Sequence, residues 1–352
     1  MSTAATRCVA ARTSPPSRPD HEYRAGIVLK KLFSRDKPLP ALPQRPFRFG
    51  VNFSGVVSRR ELVETAREIE ALGYDVFGIS DHLHHGFEQL APLLSLALVA
   101  EHTEHLQLQT LVLANDFRHP VVLANEAATL QSLSGGRFTL GLGAGWFAPD
   151  FKASGIAFHR APERVARVAE AVDVLQGMWS GEAFSFSGAH YTVAELRGIQ
   201  TAPVPLLLGG SGPVMLALAA RKAASVGLNP GLPLSAGNWQ RGATPYADVT
   251  DDKLRWIADA AGPRLAQLEI QSSVLAGGIT ADDPGSLLAP IEAAMGVSAA
   301  QLAGCPHFLA GTLEQCIEQV QSWRERWGVS YITFPHTMAA DMAPLVAALR
   351  GK

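Results

Sequence analysis

Cysteine is scarce in this 352-residue chain: Cys8, Cys305 and Cys316 are an odd number, widely spaced, with no Cys-x-x-Cys pair. That excludes a disulfide framework and a zinc knuckle and fits a reducing compartment, so a cytoplasmic location is expected. Long apolar runs are also missing. The best stretch, 90–100, is interrupted by Pro92 and Ser95 and is far shorter than the roughly 20 residues a bilayer-crossing helix needs. Charged residues make up only 18% of the chain, with a formal net charge of −2. The balance is uneven, because residues 1–46 hold nine Lys or Arg against Asp20, Glu22 and Asp36, a surplus of six that leaves the remainder at −8. A body that acidic has no electrostatic footprint for nucleic acid.

What is present divides into an extension and a body. Seven of the 23 prolines fall within residues 1–46, where apolar periodicity is weak, so this segment reads as a disordered Pro/Arg-rich extension. It has some transit-peptide character in its Arg and Ser content, but the apolar patch at 26–29 runs into Lys30 and Lys31 and is too short for a secretory core. From Phe47 onward, residues 47–352 form one expected domain in which short apolar runs alternate with longer helical patterns. Strands are expected at 47–53, 76–80, 106–113, 137–143, 204–209, 225–228, 268–275 and 331–334. Helices are expected at 59–72, 121–133, 162–179, 213–224 and 313–327. The first helix carries its own punctuation: Ser58 and Glu61 make a capping box, Leu62, Ala66 and Ile69 share a face, and Gly73 ends it.

Eight parallel strands can close into a barrel or remain an open, doubly wound sheet. An open sheet of this size would announce a Gly-x-Gly-x-x-Gly turn after its first strand, and this chain has Ser54-Gly55-Val56-Val57-Ser58 there. The expectation is a single parallel (β/α)8 TIM barrel with insertions after the later strands, and chemistry at the C-terminal strand ends.

Those ends are distinctive. The second releases Ser80-Asp81-His82-Leu83-His84-His85, either a rim turn capped by Asp81 or a reactive cluster. His82 and His84 also fit a metal-binding pair, but the fifth and sixth strands end in Gly209-Gly210 and Asn229-Pro230 rather than further ligands, so no metal is expected. After the third strand comes Ala114-Asn115-Asp116-Phe117-Arg118-His119-Pro120, where Asn115 could bond the edge of a flat ring or Asp116 and Arg118 could simply pair. The fourth ends in Gly141-Leu142-Gly143-Ala144-Gly145-Trp146, glycines that admit a close ligand or relieve crowding. The fifth ends in Gly209-Gly210-Ser211-Gly212 and enters a helix at Pro213, which suits phosphate because unpaired amides and the helix dipole both favour an anion. No Walker lysine follows, so triphosphate hydrolysis is not implied.

These motifs, together with Leu133-Ser134-Gly135-Gly136-Arg137-Phe138, resemble the luciferase-like monooxygenase superfamily, and within it the oxidoreductases that use coenzyme F420, from about Phe47 to the C-terminus. The resemblance implies roles residue by residue. His82 matches the histidine beside the reactive ring carbon and would exchange a proton, and Asp81 would orient or contact the ring. Leu111 and Val112 match a pair that forms a non-proline cis peptide behind the ring. Ala114 and Asn115 would line its edge, Gly143, Ala144 and Gly145 would let it lie flat, and Gly209, Gly210, Ser211 and Gly212 would hold its phosphate. Asn52 and Trp146 would border the substrate pocket. Some sugar-oxidising relatives carry a glutamate acid just after the fourth strand, where this chain has Trp146; the aromatic is common in the superfamily, so the departure implies a different substrate rather than a loss of activity. Segments 231–250 and 276–305 match insertions that cover the site.

The implied activity is hydride transfer between a small organic substrate and the deazaflavin ring, in a homodimer served by a separate cofactor-reducing enzyme. An FMN-dependent two-component monooxygenase of the same fold and a non-catalytic flavin-binding protein are the alternatives.

Overall fold

The computed structural model describes residues 38–39, 41–83, 89–230, 246–281, 284–295, 298, 302 and 304–352. Most of the expected 1–46 extension, His84 and His85, and most of the 231–250 segment lie outside the described residues. Of the extension's end, Leu42 is buried, and Arg45 Nε donates to the Leu268 carbonyl at 3.0 Å.

The strands form one parallel ring. In chain order they are β1 (Arg48–Phe53), β2 (Val76–Ile79), β3 (Gln107–Thr110) with its short continuation β4 (Leu113–Ala114), β5 (Phe138–Gly143), β8 (Leu206–Gly210), β9 (Ser225–Leu228), β10 (Glu269–Ser273) and β13 (Val329–Pro335). β1 pairs with both β2 and β13, and β5 pairs with β3 and β4 on one side and β8 on the other, so the sheet has no edge. All eight expected strands are present, β3 and β4 counting as one.

Alternation along each strand separates an outer apolar layer from an inner filling. On β1, Phe49, Val51 and Phe53 join the main core beneath the helices, while a Cβ on Gly50 would lie 2.8 Å from that of Val76. The interior holds Val76, Leu207 and Tyr331, with Leu111 and Val112 packed on them. Near the strand starts Arg48 pairs with Glu269 at 2.8 Å and lies 4.2 Å from the Tyr331 ring centre. A paired charge plugs this end, which leaves the opposite end for chemistry.

Helices α1 (Arg59–Ala71), α2 (Pro92–His102), α3 (Pro120–Leu133), α5 (Ala161–Met178), α6 (Pro213–Lys222), α7 (Ala247–Ala261), α9 (Leu313–Trp327) and α10 (Ala339–Leu349) follow the barrel strands; a short α4 (Ala148–Ser154) precedes α5. The capping box of α1 is formed, and Leu62, Ala66 and Ile69 are buried as their spacing requires. Two excursions leave the ring. An antiparallel hairpin, β6 (Ala183–Ser187) and β7 (Thr192–Arg197), follows α5, and β11 (Ala276–Ile279), α8 (Pro284–Met295) and β12 (Phe308–Gly311) follow β10. The second falls in the region expected to carry an insertion; the hairpin and α2 were not anticipated. Among the described residues no helix is long and apolar enough to cross a membrane.

Candidate active site at the C-terminal rim

Because every barrel strand is parallel, the ends of β2, β4, β5 and β8 share one rim, and with them His82, Asn115, Trp146 and Ser211. His82 stands just past β2. Its Nδ1 lies 2.7 Å from Oδ2 of Asp150, whose Oδ1 accepts from the Leu83 amide at 2.8 Å. Asp150 is only 2% exposed and sits on α4, so one buried carboxylate fixes both the imidazole and the backbone after it. With Nδ1–H donated to the carboxylate, the neutral ring carries its lone pair on Nε2. The ring also meets Trp146 and Phe147 edge-on, each at 5.8 Å between centres.

Asp81 has a different environment from its neighbour. It is 6% exposed, accepts from both terminal nitrogens of Arg118 at 2.6 and 3.3 Å, and accepts from the Ala114 amide at 3.2 Å. The Asp116–Arg118 pairing considered from the sequence is therefore replaced. Asp116 takes Arg167 at 2.8 Å and the Asn115 side-chain amide at 2.9 Å, and that same amide donates to the Tyr191 hydroxyl at 3.0 Å. Both amide hydrogens of Asn115 are thus committed within the protein, and its main-chain carbonyl accepts from the Arg118 amide at 3.4 Å, which leaves the side-chain oxygen for a ligand. Arg164 donates to the carbonyls of Ala144, Gly145 and His159 and holds the loop after β5 from below.

The glycines act through close approach. The Leu111–Val112 peptide is cis and separates β3 from β4. Val112 turns its methyls across the ring interior. A Cβ on Gly143 would lie 2.9 Å from Val112 Cγ2, too close unless Val112 shifts, whereas one on Gly209 would make ordinary contact with Val112 Cγ1 at 3.5 Å. Leu111, Val112, Gly143 and Gly209 are therefore one cluster. Gly145 has φ +70°, the left-handed region. Gly212 is the residue before α6 and offers no side-chain cap; the place a Cβ would occupy has no atom within 4 Å. An anion can approach the first amides of α6 there. Asn52, at the end of β1, has a buried Oδ1 with no hydrogen-bond partner.

Sequence reasoning missed several polar groups around the later strands. His336, past β13, packs against Phe53 at 4.6 Å, and its Nδ1 accepts from the Ser54 amide at 3.4 Å; burial lowers its pKa. Lys253 on α7 is 1% exposed and donates to the Asn229 carbonyl at 2.7 Å; burial pushes its ammonium down to about 8. His307 is held neutral, pushed down to about 3 by burial first and by Lys253 second, with Nδ1 3.0 Å from the Ser273 carbonyl. Burial raises the Cys305 thiol to about 12, which makes it a packing residue rather than a nucleophile. No sequence spacing signals these groups. No cluster of three or more potential metal ligands occurs among the described residues. A groove of about 500 Å³ between the end of α3 and residues 199–202 has no titratable side chain in its lining.

Residues 46–242 match the model of the luciferase-like monooxygenase family, more than half of the chain. The chain belongs to that family. A member of similar sequence is the F420-dependent glucose-6-phosphate dehydrogenase of Nakamurella multipartita, 34% identical over 232 residues, covering 64% of this chain and 66% of that protein. The chain spans between about half and two thirds of the curated relatives it matches. Among solved structures, an F420-dependent secondary alcohol dehydrogenase in complex with an F420–acetone adduct superimposes with a TM-score of 0.67 at 18% identity, covering 87% of this chain and 99% of that one. A type II Baeyer–Villiger monooxygenase from Pseudomonas putida in complex with FMN gives 0.65 at 16% identity, covering 87% and 98%. At such identities the structural likeness establishes the shared barrel fold alone.

Proposed function

We propose that this protein is an F420-dependent oxidoreductase that transfers a hydride between a small organic substrate and the deazaflavin ring. One observation carries the reading: a rim on which an imidazole backed by a buried carboxylate, a glycine-lined wall and an uncapped helix N-terminus are all brought to the same end of one barrel. The residues fit the cofactor's two chemical halves. Gly143, Ala144, Gly145 and Gly209, with Leu111 and Val112 between the strands, would pack the flat ring; the open space at Gly212, with Gly210 and Ser211, would take the phosphate; Ala114, Asn115 and the unpartnered Asn52 oxygen would meet polar edges.

When bound, coenzyme F420 supplies a ring carbon that accepts or returns a hydride. The protein's part is position and proton management. Asp150 holds Nδ1, so His82 offers Nε2 to the substrate oxygen and can take the proton lost on oxidation or return it on reduction. Asp81 acts from beneath, tying the end of β2 to β4 and to Arg118. A separate enzyme that reloads the cofactor and a cytoplasmic homodimer complete the proposal.

FMN is the second reading, because a glycine wall of this kind accepts any flat tricyclic ring. Parallel fluorescence titrations with F420 and FMN separate the two. Saturable F420 binding with indifference to FMN is expected, and His82→Ala should retain that affinity while losing turnover. FMN-only binding would move the protein to the two-component monooxygenases; F420 binding without any ring reduction would make it a carrier; binding of neither sinks the proposal.

A further inference from the structure

The β6–β7 hairpin lies outside the barrel ring, yet the residue before β7 reaches the rim. Three successive amides at the turn, those of Ala189, His190 and Tyr191, donate to the Glu170 carboxylate on α5 at 2.7, 2.9 and 3.1 Å, which ties the turn to that helix. The Tyr191 ring meets the Arg167 guanidinium at 5.2 Å from its centre and His119 edge-on at 5.6 Å. With its backbone and ring so held, its hydroxyl stands 3.0 Å from Nδ2 of Asn115, 76 residues earlier in the chain.

The polarity of that contact is fixed from the other side. Asp116 has a side chain only 3% exposed, and one of its oxygens accepts from Arg167 Nε at 2.8 Å and from Asn115 Nδ2 at 2.9 Å. An ionised carboxylate can only accept, so the Asn115 atom that faces it is the nitrogen; turning the amide over would set oxygen against oxygen. Asp116 and Tyr191 then take one amide hydrogen each. Without the tyrosine hydroxyl, one buried N–H loses its acceptor and the amide plane loses its second anchor.

We infer that Tyr191 is a positioning residue of the ring site: with Asp116 it locks the Asn115 amide so that only the oxygen faces the ligand, an acceptor for a donor on the ring edge such as the imide N–H that deazaflavin and flavin rings share. The inference rests on the ring-binding reading above. It makes the hairpin part of the site, through a residue that acts on the ligand only by way of Asn115.

The test uses the full chain and two readouts. In proton–nitrogen correlation spectra of the cofactor-free protein, Tyr191→Phe should move one of the two Asn115 side-chain amide hydrogens upfield, while the backbone amides of residues 189–191 keep their positions and their protection from exchange. In fluorescence titrations with F420, Tyr191→Phe should weaken binding about 3- to 10-fold, the net worth of one hydrogen bond. Asn115→Ala/Tyr191→Phe should bind no worse than Asn115→Ala alone, because the two side chains act as one unit. Additive losses in the double variant, unchanged affinity in Tyr191→Phe, or an Asn115 amide signal indifferent to that substitution overturns the assignment; so does loss of protection throughout 189–191, which would make the tyrosine a packing group. If FMN is the ring that binds, the same titrations are read with FMN. Binding of neither ring by the wild-type protein would strike the broader reading and leave the spectra to decide whether Tyr191 fixes the amide.

Discussion

Replacing Asp150 with Asn tests whether the carboxylate is a positioning partner of His82 or only a packing group. In the wild-type protein it accepts from the imidazole at 2.7 Å and from the Leu83 amide at 2.8 Å while 2% exposed. Asparagine has the same shape but one acceptor instead of two. If that oxygen keeps the Leu83 amide, an N–H faces Nδ1 and the imidazole must move its proton to Nε2, the position proposed to serve the substrate. Losing a hydrogen bond to a charged group costs about 1.5–3 kcal/mol, and each 1.4 kcal/mol is tenfold in rate. A decrease of roughly 10- to 100-fold in kcat, with F420 affinity unchanged, is therefore expected from steady-state kinetics and fluorescence titration. The two residues act as a unit, so His82→Ala/Asp150→Asn should be no worse than His82→Ala alone. Full activity in Asp150→Asn, or simple additivity in the double variant, would refute the coupling.

Gly212→Val should weaken F420 binding about 10-fold or more with little change in thermal stability, because its side chain would enter space where no protein atom lies within 4 Å; unaltered affinity would remove the phosphate from that helix end. Lys253→Met should stabilise the fold at pH 7. The ammonium is pushed from 10.5 to about 8 in the folded protein, and about 1.36 kcal/mol per pKa unit puts the cost of charging on the order of 3 kcal/mol. Since the unfolded chain binds more protons between pH 8 and 10.5, wild-type stability should rise with pH across that window and the variant's advantage should shrink; urea melts at pH 7 and 10 that give the same difference would contradict this.

The fold was legible because its signals are repeated and local. The strands are short apolar runs, several of them followed by an amphipathic helix such as α1 or α9, and the absent dinucleotide turn after β1 left closure as the remaining solution. α2 was missed because Pro92–His102 is apolar nearly all round and so shows no helical stripe. The β6–β7 hairpin was missed because its residues are mostly exposed and lack a hydrophobic alternation strong enough to register. At the site, glycines and a histidine at strand ends could be found from position alone. The partners could not: His82 and Asp150 are 68 residues apart, and Asp81 reaches Arg118 over 37. Nearness in sequence offered Asp116 with Arg118 as one alternative; instead Arg118 pairs with Asp81 on the β2 loop and Asp116 with Arg167 on α5, partners that lie far apart in the chain.

That crossing of partners between loops explains how one rim can keep a fixed floor beneath a variable wall. Asp81 on the β2 loop holds Arg118 after β4, and Asp116 after β4 holds Arg167 on α5; Arg164, on the same helix, holds the carbonyls after β5. The carboxylates of Asp81 and Asp116 are buried, where removing one member leaves the other uncompensated, so these two pairs resist change. Trp146 and Leu83 are not among these pairs; both are about half-exposed, and Trp146 meets His82 edge-on. Substitutions there can alter what is recognised without loosening what positions the imidazole. Divergence in substrate is therefore expected to concentrate at those two positions rather than at the arginines beneath them.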